Sequence, residues 1–365
     1  MSTEVLDRTP DQTSGGIGTP DKPREESKKD SYFSNAKLIL ILLVVTGHTW
    51  SPMADYSSTI RSLYLVLYDL HMPAFILLCG YFSRNFAGKP RQLHRLVTSV
   101  AAPYLIFSLL YGVFRWWTDG EPDPSLLSPY YLLWFLSALF IWRITSPIWT
   151  MVRFPVLVAI VISVGAATMT LPSELDLGRI LQFLPFFVAG MFMKREYFER
   201  LRHPFVRIVG PIACLGIWYM AFKHGGSVNL NWVYYTDGAG QMDSDLAHVL
   251  PMKAIILGSA AVLLATFFAY VPERTFWFTR LGELTMFVYL LHGFFTKGAE
   301  LGLHLYDYAF LHTPWGEATL TLGALALGCL LLTPPVRWLT RPLVEPKLNW
   351  LMKPLPPRKR ATESV

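Results

Sequence analysis

The chain has 365 residues, 52% of them hydrophobic, 15% aromatic and only 16% charged, with a mean hydropathy of +0.35. Soluble domains carry about 25% charged residues, so a water-soluble globule is excluded and a polytopic membrane protein is expected. The net charge of +6 does not argue for nucleic acid, because the basic residues fall in short loops between apolar runs, where they act as topology signals.

Residues 1–31 are polar and rich in Pro, Gly, Ser, Thr and charge. They predict a disordered cytoplasmic tail and no cleavable signal peptide. Ten apolar runs follow, at 34–51, 60–82, 96–117, 130–147, 154–171, 178–194, 205–222, 250–271, 282–299 and 317–339. Each predicts a membrane-spanning helix, several near the short limit. With the N-terminus in the cytoplasm, all of the 32 basic residues fall inside except Arg61, Arg115, Arg179, Lys223, Lys253 and Lys297. That bias predicts an all-α bundle of about ten spans over 32–340 in the cell membrane, with both termini cytoplasmic and a basic tail at 341–365.

The first run carries the most informative pair, Lys37 and His48. Eleven residues at about 100° each return to nearly the same helix face, and about 1.5 Å of rise per residue separates the two by roughly 16 Å. A cation at the mouth and an imidazole in the interior thus share one stripe. An ionisable group at membrane depth is expensive and marks a functional site by default. Lys37 also suits a plain anchor at the helix end.

His71 in the second run and His292 in the ninth fall at a depth comparable to His48. Three imidazoles at one level make a polar cavity, and neutral imidazole can act as a general base. Each also suits a hydrogen bond to a neighbouring helix. No carboxylate or cysteine accompanies them at ligand spacing, and Cys79, Cys214 and Cys329 are scattered, so no metal site or disulfide framework is expected. Asp69 needs a partner at this depth, for which Arg115 and Lys253 are candidates. Arg91 and Arg95 lie four apart beside the third run and share a face. With Arg84 and Lys89 they form a candidate phosphate site, or a topology signal alone. Trp134 is a candidate cavity residue, whereas Trp116, Trp117, Trp142 and Trp149 read as interface belts. The aromatic and acidic loop at 223–249 suits either a polar ligand such as a sugar or a solvated connection.

Four motifs stand in order along these runs: Lys37-x10-His48; His71-Met-Pro73-Ala-Phe75 leading to Cys79-Gly80; Leu133-Trp134-Phe135-Leu136; and Gly282 followed by Tyr289-Leu-Leu-His292. In them the chain resembles the acyltransferase 3 family of integral membrane O-acyltransferases, and most of all its branch similar to fucose 4-O-acetylases. The resemblance covers about residues 32–340. Asn35 stands near a place where relatives often have Asp, and Cys79 where Ser is common. The resemblance implies transfer of an acyl group, chiefly acetyl, from cytoplasmic acyl-CoA as co-substrate to a hydroxyl of a sugar, glycan or glycosylated metabolite, with no permanently bound cofactor.

In that reading Lys37, Arg91 and Arg95 hold the CoA phosphates, and His48 is the general base, with a transient acyl-histidine as the alternative. His71 and His292 shape the catalytic centre, and Trp134 and Asn35 contact substrate. The rival readings are a proton-coupled transporter and an accessory protein of polysaccharide export. A transporter commonly carries inverted repeats, and no internal repeat is visible.

Overall fold

The computed structural model describes residues 24–120 and 126–353. Residues 1–23 and 354–365, which hold most of the two predicted tails, lie outside the described residues. Fifteen α-helices run in chain order: α1 (Arg24–Trp50), α2 (Ser58–Ser83), α3 (Pro90–Leu96), α4 (Ala102–Asp119), α5 (Trp134–Trp149), α6 (Pro155–Ala167), α7 (Leu177–Gln182), α8 (Leu184–Phe192), α9 (Arg195–Leu201), α10 (Pro204–His224), α11 (Asn231–Tyr234), α12 (Leu246–Tyr270), α13 (Thr285–Lys297), α14 (Pro314–Leu331) and α15 (Pro334–Val344). The described residues contain no strand. The molecule is a polytopic helix bundle.

Among the described residues, seven helices are long and apolar enough to cross a membrane, one of them formed by α3 and α4 joined through a π turn. An eighth arises if α7 and α8, bent by 54° at their junction, count as one span. Pro185 lies in the first turn of α8, where its missing N–H ends the ladder coming from α7. The runs at 154–171 and 282–299 give helices of 13 residues each. These are shorter than the roughly 20 residues that span the hydrocarbon core.

Local chemistry sets the helix starts. Ser57 has extended φ/ψ and accepts from the Ile60 N–H ahead of α2. Asp245 does the same for His248 at α12, and Thr313 for Gly316 at α14. Each satisfies an N–H that has no partner within the helix.

Two close approaches fix the centre of the bundle. A Cβ on Gly80 of α2 would sit 2.0 Å from the Phe187 carbonyl oxygen of α8, and one on Gly190 of α8 would sit 2.0 Å from that of Leu77. The two backbones touch because both contact residues lack a side chain. Gly282, before α13, meets Ser34 of α1 in the same way, at 1.8 Å. Nearby, Asn35 Nδ2 donates to the Pro272 and Arg274 carbonyls, and its Oδ1 accepts from the Thr279 hydroxyl. These bonds tether the connection between α12 and α13 to α1.

The loop at 223–249 is packed against the bundle over much of its length. Trp232 and Tyr235 are buried, and the Tyr235 ring lies 4.1 Å from that of Phe183. Of the four tryptophans read as belt residues, Trp116 and Trp117 are exposed, but Trp142 and Trp149 are buried. Trp142 donates its indole N–H to the Ile180 carbonyl at 2.9 Å, so its polar end is satisfied inside the protein rather than at a water interface.

Candidate active site

Four helices line a cavity of about 260 Å³. From α1 come Lys37, Ile41, Val44 and His48. Their spacing of four, three and four residues is one face of a straight α-helix. From α2 come Tyr68, Met72, Phe75, Cys79 and Phe82, again at steps of three and four. Trp134, Phe135, Leu139 and Arg143 of α5 and Thr285, Met286 and Tyr289 of α13 complete the wall. The Lys37 ammonium sits 5.6 Å from the centre of the half-exposed Phe82 ring. Lys37, Phe82 and Arg143 therefore mark one end of the cavity, and His48, Tyr68 and Trp134 the other.

At its Lys37 end the cavity is cationic. Arg143 donates through Nε to the Ser83 hydroxyl at 3.1 Å, which orients the guanidinium while most of its donors stay available. Sequence reasoning passed over Arg143 as a topology charge. Its place four residues beyond Leu139 and eight beyond Phe135 was the available signal.

At the other end, the His48 ring lies 5.2 Å from that of His292 and 4.7 Å, edge to face, from that of Tyr131. His292 is fully buried. Its Nδ1–H donates to the Val288 carbonyl at 2.8 Å, because a carbonyl can only accept. In the neutral ring this leaves a lone pair on Nε2, and that atom is buried without a hydrogen-bond partner. His71 Nδ1 donates likewise to Leu67 O at 2.6 Å. The His71 ring lies against α1: a Cβ on Gly47 would stand 3.6 Å from its Cε1. The three histidines thus gather around one stretch of α1, with His48 alone lining the cavity.

Tyr131 is a second residue that sequence reasoning missed. Its φ of +55° is the left-handed region, uncommon for a bulky side chain, and such backbone outliers concentrate at functional sites. The Tyr131 hydroxyl pairs with that of Thr296 at 3.4 Å, and the Lys297 ammonium lies 5.0 Å from the ring centre. Across the cavity, the Tyr289 hydroxyl donates to the Leu132 carbonyl. Trp134 stacks on Phe183 at 5.4 Å, with the Arg179 guanidinium 4.9 Å from its ring centre. Arg179 in turn pairs with Asp176 at 3.1 Å. A flat aromatic wall beside a fixed cation stands at this end.

The remaining predicted residues lie elsewhere. Arg91 and Arg95 are on the short helix α3 and do not line the cavity. Asn35 is buried and its amide is used in tethering the α12–α13 connection, so it is not among the lining residues. Asp69 finds its partner in Ser259, whose hydroxyl donates to Oδ2 at 2.6 Å. Among the described residues, no group of three His, Cys, Asp or Glu side chains is placed to hold a metal ion.

Compared with known proteins, residues 30–333 match the family model acyltransferase 3, described as an acyltransferase domain. No curated protein and no solved structure matches the chain.

Proposed function

Since the chain belongs to the acyltransferase 3 family, we propose that this multi-pass membrane acyltransferase moves an acyl group, most simply acetyl, from acyl-CoA to a hydroxyl of a carbohydrate or glycosylated metabolite. One observation carries the reading: the stripe Lys37–Ile41–Val44–His48 lines a single cavity, cationic at one end and imidazole-bearing at the other. Phosphates of the donor suit Lys37 and Arg143 at the open end. Arg91 and Arg95 serve as a more distant attracting surface. The apolar middle, between Ile41, Val44, Met72 and Phe75, suits an uncharged arm ending in a thioester.

His48 acts as the general base. It takes the proton from the acceptor hydroxyl as that oxygen attacks the thioester carbonyl. The C–O bond forms, the C–S bond breaks, and the departing thiolate takes the proton back from His48. A rotation of the His48 ring brings one of its nitrogens to the Nε2 of His292, which has no partner in the structure, and turns the other toward the acceptor hydroxyl. His71 supports the same stretch of α1. A sugar ring packs on the face of Trp134, with Arg179 beside it.

The positive-inside bias supports ten spans, with both termini cytoplasmic, in the cell membrane. Of the two 13-residue helices, α13 crosses together with the π segment at Gly298–Gly302, and α6 crosses in company with neighbouring helices.

The test uses membranes bearing the full chain, radiolabelled acetyl-CoA and a panel of glycans. Label moves to a hydroxyl in the wild type and not in His48→Ala. Transfer that survives His48→Ala overturns the role of His48. Substrate flux without any transfer overturns the enzymatic reading.

A further inference from the structure

A second cavity, of about 670 Å³, lies between α2, α10 and α12. Its wall is apolar apart from Asp69, Ser259 and His224. Asp69 is buried. Ser259 satisfies its Oδ2, but Oδ1 is buried with no hydrogen-bond partner. A carboxylate oxygen left unpaired in an apolar interior costs free energy. A ligand hydroxyl that reaches this oxygen relieves that cost.

α2 separates this space from the active-site cavity. Leu65, Val66 and Asp69 face one side, and Tyr68, Met72 and Phe75 face the other. The second cavity is thus not an extension of the first. Its outer wall is α10, the least buried of the seven spans, so its ligand comes from the bilayer.

Charge selects the kind of donor. Lys253 of α12 is itself buried. Its ammonium is held by Gln182 Oε1 at 2.9 Å and by the Tyr235 ring at 3.9 Å from the centre. A cationic ligand would bring a second ammonium into this apolar interior, where burying a charge is costly. A neutral hydroxyl supplies the missing hydrogen bond without one. We propose that this cavity is a second ligand site, which takes a membrane-dissolved alcohol, its hydroxyl donating to Asp69 and its apolar body lying along α10 and α12.

The test is photolabelling of the full-length protein in detergent micelles, with a long-chain primary alcohol carrying a diazirine and with its methyl ether. The alcohol labels peptides spanning 213–225 and 252–259, and the ether labels them about tenfold less, as loss of one buried hydrogen bond implies. Gly216 lines the cavity with open space beside its Cα, so Gly216→Phe fills it and abolishes the labelling. Asp69→Asn narrows the difference between alcohol and ether. Equal labelling of the wild type by alcohol and ether overturns the proposal, as does labelling that survives Gly216→Phe. Neither readout depends on acyl transfer.

Discussion

The imidazole of His48 stands 5.2 Å, ring centre to ring centre, from that of His292, whose Nε2 is buried without a hydrogen-bond partner. One ring faces the cavity, and the other sits behind it with a lone pair to offer. Substituting each has a distinct consequence. His48→Ala removes the base and lowers kcat by about 10²–10⁴-fold. His292→Phe keeps the ring's bulk and removes the Nε2 acceptor together with the Nδ1–H bond to Val288. It lowers kcat about tenfold, the worth of one hydrogen bond of roughly 1.4 kcal/mol, and leaves KM for both substrates in place. Steady-state kinetics on matched amounts of folded protein separate the two. Unchanged kcat in His292→Phe rules out the orienting role.

The cationic end is expected to read the nucleotide part of the donor. Lys37→Ala and Arg143→Ala each raise KM for acetyl-CoA, by the roughly 1.5–3 kcal/mol that a hydrogen bond to a charged group contributes, and change kcat little. With acetyl-pantetheine, which lacks the nucleotide, wild type and variants behave alike. Equal losses with both donors would place the effect of these residues on the reacting end instead.

Gly80 and Gly190 leave no room for a methyl group, because backbone oxygens lie 2.0 Å from the Cβ positions. Gly80→Ala and Gly190→Ala force α2 and α8 apart and destabilise the fold by about 1–3 kcal/mol or more. Gly216 has open space around it in the middle of α10. Gly216→Ala is neutral or stabilising by up to about 1 kcal/mol. Thermal unfolding in detergent gives the comparison.

Asn35→Ala strips partners from the Pro272 and Arg274 carbonyls and the Thr279 hydroxyl. The expected result is a lower unfolding temperature, at about 1–3 kcal/mol per buried group left unpaired, with an unchanged KM in the protein that remains folded. A raised acceptor KM at unchanged stability returns Asn35 to substrate contact.

Local periodicity accounts for what the sequence revealed. The shared face of Lys37 and His48 follows from the helix period alone, and the common depth of His48, His71 and His292 from the rise per residue. Pairings across the bundle were not legible. Asp69 meets Ser259 190 positions away, a donor that no charge pattern marks. Arg143 was hidden among topology charges, and Trp142 among belt aromatics. The strained backbone of Tyr131 has no sequence signature, because Tyr in the left-handed region is a product of tertiary constraint. The apolar runs at 154–171 and 282–299 were legible as helices. Their 13-residue lengths were not, since hydropathy does not report where a ladder of hydrogen bonds ends.

Between Lys37 and His48 the helix α1 has no proline and no π turn, so one wall of the cavity is a ruler with fixed graduations. Adding one residue between Val44 and His48 swings the imidazole about 100° off the cavity face. Adding seven brings it back to within about 20° and moves it about 10.5 Å farther along the axis. The reach from the Lys37 ammonium to the His48 imidazole is therefore quantised. A lineage that changed to a donor with a longer or shorter arm would have to step by whole pairs of turns, or move the cations rather than the base.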